Sequence, residues 1–322
     1  MATNSNPTSN SILHAEQLEF LTDLSPSDRP WDVHRAQAQQ VEKLYQKTVY
    51  DRLAVRIRQC TGYLGFGWVT ELETGEKRLK LVMARFCRVR HCPVCWWRRS
   101  LMWQARFLRV LPELESAFPT ARWIFLTLTV RNCAITDLRS TIQHMNVSFN
   151  RMTKRPEFAH NTIGWIRSTE VTRGHDGSAH PHFHCLLMVR PSYFGKGYVT
   201  QARWTELWKE SARLDYTPIV HVQAVKNRRG SEHPLRAAIA ETLKYSTKPE
   251  DLLMDRDWLL ELTSQVHKLR FIGSGGLLKE VLRESEEETD DDLMLLDEDG
   301  DQIVGPEIFF GWHRRIQRYV RL

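Results

Sequence analysis

The sequence predicts an α+β fold, an antiparallel β-sheet with helices packed on one face, plus a small N-terminal module that carries a cysteine cluster. Three observations lead there. Trp123 to Arg131 alternates Phe125, Thr127 and Thr129 against Ile124, Leu126, Leu128 and Val130, the period of two of a half-buried strand. Ile163 to Thr172 and His182 to Arg190 read as two more strands, joined by the polar turn Gly174-His175-Asp176-Gly177. With the helical segments between and after them, the order is β-α-β-β-α-β and a closing helix.

In chain order, the first 30 residues are rich in Ser, Asn, Thr and Pro and predict a flexible lead-in. From Trp31 to Cys60 apolar residues recur at helical spacing (Val41, Leu44, Tyr45, Tyr50, Leu53, Val55). Tyr63 to Leu72 and Lys77 to Phe86 predict a hairpin around Thr74-Gly75. Trp96 to Leu111 reads as an arginine-rich amphipathic helix ending before Pro112. Asp137 to Lys154 and Thr200 to Leu214 are helical by period, and Ile219 to Val225 is a strand. Pro234 to Lys248 is a helix with proline at its start. The expected units are 1–30, a helical and cysteine-bearing module at 31–118, a sheet domain at 119–275, and a C-terminal segment at 276–322 with an acidic linker and a basic end.

Composition bounds the function. At 42% hydrophobic over 322 residues the chain buries a real core. No apolar run approaches the ~18 residues of a membrane span, and Met1 to Asn10 lacks the pattern of a secretory signal. A cytoplasmic, membrane-free protein is expected, where clustered thiols bind metal more readily than they form disulfides. The net charge of +6 conceals an asymmetry: residues 284–301 hold eleven acids and no Lys or Arg. The rest carries 45 basic against 28 acidic residues, a surplus of 17 that favours a polyanionic partner over plain surface charge.

Cys87-x4-Cys92-x2-Cys95 has the tight spacing that brings thiolates onto one tetrahedral zinc. Cys60, at the entry to the hairpin, is the expected fourth ligand and His91 the competing one. Arg88, Arg90, Arg98, Arg99, Arg106 and Arg109 surround the cluster beside Trp96, Trp97 and Trp103, a set suited to phosphate contacts and base stacking. In His180-Pro181-His182-Phe183-His184, residues two apart on a strand share a face, so His182 and His184 point two imidazoles at one metal. Glu170 on the preceding strand supplies a carboxylate, which leaves open positions, as a catalytic ion requires. His180 is either a third ligand or a group supporting the ligands from outside, and the expected disturbance of the strand at Pro181 favours the second. Glu241, Tyr245 and Lys248 fall at i, i+4 and i+7 of the closing helix, on one face. A phenol with a pKa of about 10 needs a neighbouring cation to attack at neutral pH.

Phe125-Leu-Thr-Leu-Thr129, His182-Phe-His184 and Tyr245-x-x-Lys248, in that order, resemble the three motifs of the HUH endonuclease superfamily. With Glu241 and the segment Phe86 to Arg99, the chain from Cys60 to Lys248 is similar to the single-tyrosine rolling-circle replication initiators of small bacterial plasmids. The resemblance implies an HUH/RRM-like palm in which His182 and His184 hold Mg²⁺ or Mn²⁺. It implies that Tyr245 attacks the scissile phosphorus, giving a 5′-phosphotyrosyl protein and a 3′-OH that primes host polymerase. Lys248 would steady the charge, and Glu241 would activate water at termination. The substrate would be single-stranded DNA extruded at a supercoiled plasmid origin, with unwinding left to a host helicase, since no Gly-x-x-x-x-Gly-Lys-[Ser/Thr] loop is present. An HUH transposase or mobilisation relaxase would share this chemistry. A zinc-dependent repressor would bind DNA without catalysis, and a metal phosphoesterase would turn over without a covalent adduct. The acidic stretch is expected either to mimic DNA and mask the basic surface or to limit the protein's reuse.

Overall fold

The computed structural model describes residues 18–70, 75–225, 234–244, 247–281, 289–294 and 306–322. Helices α1 (Leu21–Leu24), α2 (Arg29–Tyr45) and α3 (Asp51–Gln59) lead into strands β1 (Tyr63–Thr70) and β2 (Lys77–Ala84). The long helix α4 (Pro93–Ala117) connects them to β3 (Arg122–Thr129), α5 (Leu138–Met152), α6 (Pro156–Ala159), β4 (Thr162–Arg173) and β5 (Ala179–Val189). Then come α7 (Gln201–Ala212), β6 (Val220–Ala224), α8 (Pro234–Thr242), α9 (Pro249–Met254), α10 (Arg256–Gln265), β7 (Ile272–Gly276), α11 (Leu277–Val281), α12 (Asp290–Met294), β8 (Ile308–His313) and β9 (Arg318–Arg321).

The central sheet has five antiparallel strands in the order β6-β3-β5-β4-β7. Its alternation sorts the side chains. Ile124, Leu126, Leu128, Phe183, Cys185 and Leu187 pack against Met145 and Phe149 of α5 and Trp204, Leu207 and Trp208 of α7. The opposite face carries Ile166, Leu186 and Met188 at one end, and these join a core with Phe107 of α4, Ile239 of α8 and Leu243. Helices therefore cover both faces rather than one. The reason lies in β5, which is buried on both sides from Phe183 onward. The far end of that second face, at His182, His184 and Glu170, is polar.

A second sheet, in the order β2-β1-β8-β9, pairs the expected N-terminal hairpin with the C-terminal residues. Gly75 takes φ +72°, which glycine adopts without cost, while Thr74 lies outside the described residues. Residues 306–322 thus return to the cysteine-bearing module. Tyr319 donates its hydroxyl to Thr61 O at 2.7 Å, and Arg314 clamps the buried Glu42 of α2 at 2.9 and 3.1 Å. Of the expected lead-in, residues 18–30 also belong to the fold, with Phe20 bridging Val320 and Leu21 buried; residues 1–17 lie outside the described residues.

Three local expectations change. Helix α4 runs through Pro112, because that residue is exposed while Phe107 and Leu114 stay anchored in the core on either side. Strand β5 continues through Pro181, which lies beyond the last β3 partner, where His182 faces Thr129; the missing N–H falls outside the three-strand part of the sheet. The closing helix, α8, stops at Thr242 instead of reaching Lys248, and a new one starts at Pro249.

Candidate metal and nucleic-acid site

The β4–β5 register sets Glu170 opposite His182 and Ser168 opposite His184, while β3 sets Thr127 opposite His184. Glu170, His182 and His184 therefore converge on the polar end of the sheet face. Glu170 Oε2 accepts from His184 Nε2 at 2.8 Å and from His182 Nε2 at 3.2 Å. Edges of about 3 Å are what three ligands of an octahedral Mg²⁺ or Mn²⁺ span when the bonds are about 2.1 Å. The other ring nitrogens are held from outside: His184 Nδ1 lies 3.4 Å from Thr127 Oγ1, and His182 Nδ1 lies 3.3 Å from His180 O. Such outer partners leave the two Nε2 atoms for a metal. His180 contributes its carbonyl here, and its imidazole stands outside the converging group.

Burial pushes the Glu170 carboxyl up, but the hydrogen bonds from His182 and His184, with the charge of Lys244, hold it well below the usual carboxylate range. Lys244 Nζ stands 3.4 Å from Glu170 Oε2 and 2.5 Å from Glu241 Oε1. Sequence reasoning singled out Lys248 and did not name this lysine. The signal was available, since Lys244 lies at i+3 from Glu241. Lys248 instead caps α9 in an extended conformation, as a residue before proline must, so Glu241 and Lys248 do not share a helix face. Tyr245 lies outside the described residues.

The four sulfurs of Cys60, Cys87, Cys92 and Cys95 lie within 4.8 Å of one another, all buried. Cys95 Sγ is 3.5 Å from both Cys60 Sγ and Cys87 Sγ, and Cys92 Sγ is 3.8 Å from Cys60 Sγ. Tetrahedral zinc with bonds of about 2.3 Å sets sulfurs about 3.8 Å apart, so this donor set fits it. Backbone N–H groups of Cys87 and Arg88 donate to Cys60 Sγ and Cys95 Sγ at 3.4 and 3.3 Å, an arrangement that supports thiolates. Burial opposes ionisation of Cys92, but hydrogen bonds from the other three thiols overcome it and pull its pKa down. His91 stands apart from the sulfurs. It is fully enclosed and kept neutral by burial, with Nε2 unpartnered beside Thr247 and Pro249.

The six arginines divide. Arg98 is buried and donates to Leu293 O at 2.7 Å and Met294 O at 3.0 Å, and Arg90 donates to Leu269 O while covering Phe271. Both guanidinium groups are engaged by backbone carbonyls of this chain, those of Arg98 belonging to α12. Arg88 and Arg106 reach the surface but pair with the acidic segment, at 2.6 Å to Asp290 and 2.8 Å to Asp292. Arg99 lies over Trp96, and Arg109 continues along α4. Helix α12 is thus seated on α4, with Leu293 buried beneath it. The rest of the acidic stretch, 284–288 and 295–301, lies outside the described residues.

Among the described residues, no helix is long and apolar enough to cross a membrane. A family profile described as Replication protein matches residues 78–320. The chain is 35% identical over 303 residues to the Protein rep of Bacillus amyloliquefaciens, spanning 87% of this chain and 88% of that protein. It is 33% identical over 314 residues to the Protein rep of Lentilactobacillus hilgardii, spanning 94% and 98%. The Protein rep of Streptococcus pneumoniae serotype 2 is 32% identical over 301 residues, spanning 91% and 92%. No solved structure matches the chain.

Proposed function

The chain belongs to the Replication protein family, and from that premise we propose that it initiates rolling-circle replication of a plasmid by nicking one strand of the origin. The observation that carries this reading is the Glu170–His182–His184 convergence, next to the helix whose C-terminal side leads into Tyr245. Mg²⁺ or Mn²⁺ held by these three side chains would polarise the scissile phosphate and offset its developing charge. Thr127 and the His180 carbonyl keep the imidazoles aimed. Tyr245 Oη gives up its proton and attacks the phosphorus in line, the P–O3′ bond breaks, and the departing oxygen takes up one proton, balancing the one released, to become the priming 3′-OH. The phosphotyrosyl bond keeps the energy of the phosphodiester, so rejoining needs no ATP. Lys248, three residues on, supplies a cation for the phosphate, and Glu241 accepts a proton from water at the terminating hydrolysis. Host helicase and polymerase complete the cycle, and the cysteine cluster holds one structural Zn²⁺.

Metal-dependent cleavage of single-stranded oligonucleotides tiled across the DNA flanking the gene tests this reading. His182→Ala and His184→Ala should each lower cleavage by about 10²–10³-fold at fixed Mn²⁺. Undiminished cleavage in both would refute a role for the histidines.

The same reading includes a mask. Asp290 and Asp292 occupy two of the arginines assigned to DNA, Arg88 ahead of α4 and Arg106 on it, and Leu293 anchors them there. Exposed pairs of this kind contribute only about 0.2–1 kcal/mol each, so a polyanion can displace them. Asp290→Asn combined with Asp292→Asn should raise DNA affinity at low salt by roughly three- to tenfold. Titration by fluorescence anisotropy measures it, and an unchanged affinity would end the idea.

A further inference from the structure

One cation stands beside the ligand set without an assigned part in cleavage. Lys244 Nζ approaches Glu170 Oε2, the same oxygen on which both imidazoles converge, and it holds Glu241 with its other side. The Glu170 side chain is only 5% exposed, so its charge requires a partner; the Lys244 side chain is 34% exposed and has room to swing outward. A divalent cation shared by Oε2 and two Nε2 atoms takes the lone pair that this ammonium faces, and at such range two positive charges repel strongly. Resting on the metal reading of the histidine site, we infer that Lys244 is an exchangeable counter-ion. It neutralises Glu170 in the metal-free chain and yields that carboxylate to the incoming dication. Glu241 and the scissile phosphate are then the anions left for it. Lys244 is a positioning residue in this role, and it ties occupancy of the metal site to the surroundings of the carboxylate assigned to water activation. A lysine that merely braced the end of α8 against the sheet would act in the opposite sense, since its removal would loosen the ligands and weaken metal binding.

The full-length protein, zinc-loaded and dialysed free of other divalent ions, separates the two. Mn²⁺ has little affinity for thiolates, so free Mn²⁺ followed by its electron paramagnetic resonance signal reports the histidine site. Lys244→Met should bind Mn²⁺ about tenfold more tightly than wild type, and its Tm should rise more on Mn²⁺ addition. Lys244→Arg, which keeps the charge, should bind as wild type does. Lys244→Gln serves if the Met variant does not fold. Equal or weaker binding in the uncharged variants overturns the counter-ion role, as does tighter binding in Lys244→Arg. A wild-type protein with no saturable Mn²⁺ site refutes the metal reading itself, and the counter-ion role falls with it.

Discussion

Tyr245→Phe is expected to abolish the covalent protein–DNA adduct and to lower nicking by at least about four orders of magnitude, with folding and DNA binding unchanged. Phenylalanine keeps the ring and removes only the attacking oxygen, so the loss isolates the nucleophile. Four of the other seven tyrosines are poorly placed to replace it. Tyr45, Tyr193 and Tyr319 spend their hydroxyls on internal hydrogen bonds, to Thr263, Val199 and Thr61 respectively. Tyr216 accepts from the Arg131 backbone N–H at 2.8 Å. Burial also pushes the Tyr45, Tyr193 and Tyr319 phenols up, further from the anion that attacks phosphorus. Labelled single-stranded DNA and Mn²⁺, resolved on denaturing gels, give the readout. An adduct that persists in the Phe variant would remove Tyr245 from the mechanism.

Loss of zinc should have the largest effect on stability. Structural zinc on four thiolates is worth about 10–16 kcal/mol of apparent binding free energy near neutral pH, as much as the whole stability of an ordinary domain. Cys95 is in contact with Cys60 and Cys87, and it sits in the first turn of α4. The same helix reaches the histidine face, where Ser100 Oγ donates to Leu243 O at 2.6 Å, next to Lys244. Cys95→Ser or chelator treatment should therefore melt the module and lower nicking together. Elemental analysis should give about one zinc per chain, with a Tm fall of more than about 10 °C on its removal. A metal-free protein with an unchanged melting curve would exclude a structural ion.

Four strands of the central sheet were legible because their signals are local, whereas the edge strand β7, rich in glycine, was not anticipated. The alternation in Trp123 to Arg131 and the turn at 174–177 fix the register that sets Glu170 against His182. The cysteine spacing likewise brought three thiols together within nine residues, and only the hairpin was needed to return Cys60. Other features depend on distant partners. Nothing near residue 310 indicates that Phe309 will pair with Gly65, because that choice is made by Glu42, Thr61 and Gln39 far upstream. The seating of α12 on α4 is equally nonlocal: charge predicted attraction, but Leu293 and the inward turn of Arg98 follow from packing. That Lys248 lies outside a helix was within reach of the sequence, since Pro249 disfavours a helical conformation for it. Helical period alone had carried the expected helix to Lys248, and Lys244 went unnamed.

The central claim is that a tyrosine of this chain becomes joined to DNA. Trapping the protein on cleaved single-stranded DNA, trimming the DNA with nuclease and sequencing the digested peptides by mass spectrometry locates that bond. The expected result is a nucleotide 5′-phosphate on Tyr245 and on no other residue. DNA cut without any covalent peptide, or a nucleotide carried on a different side chain, would contradict it.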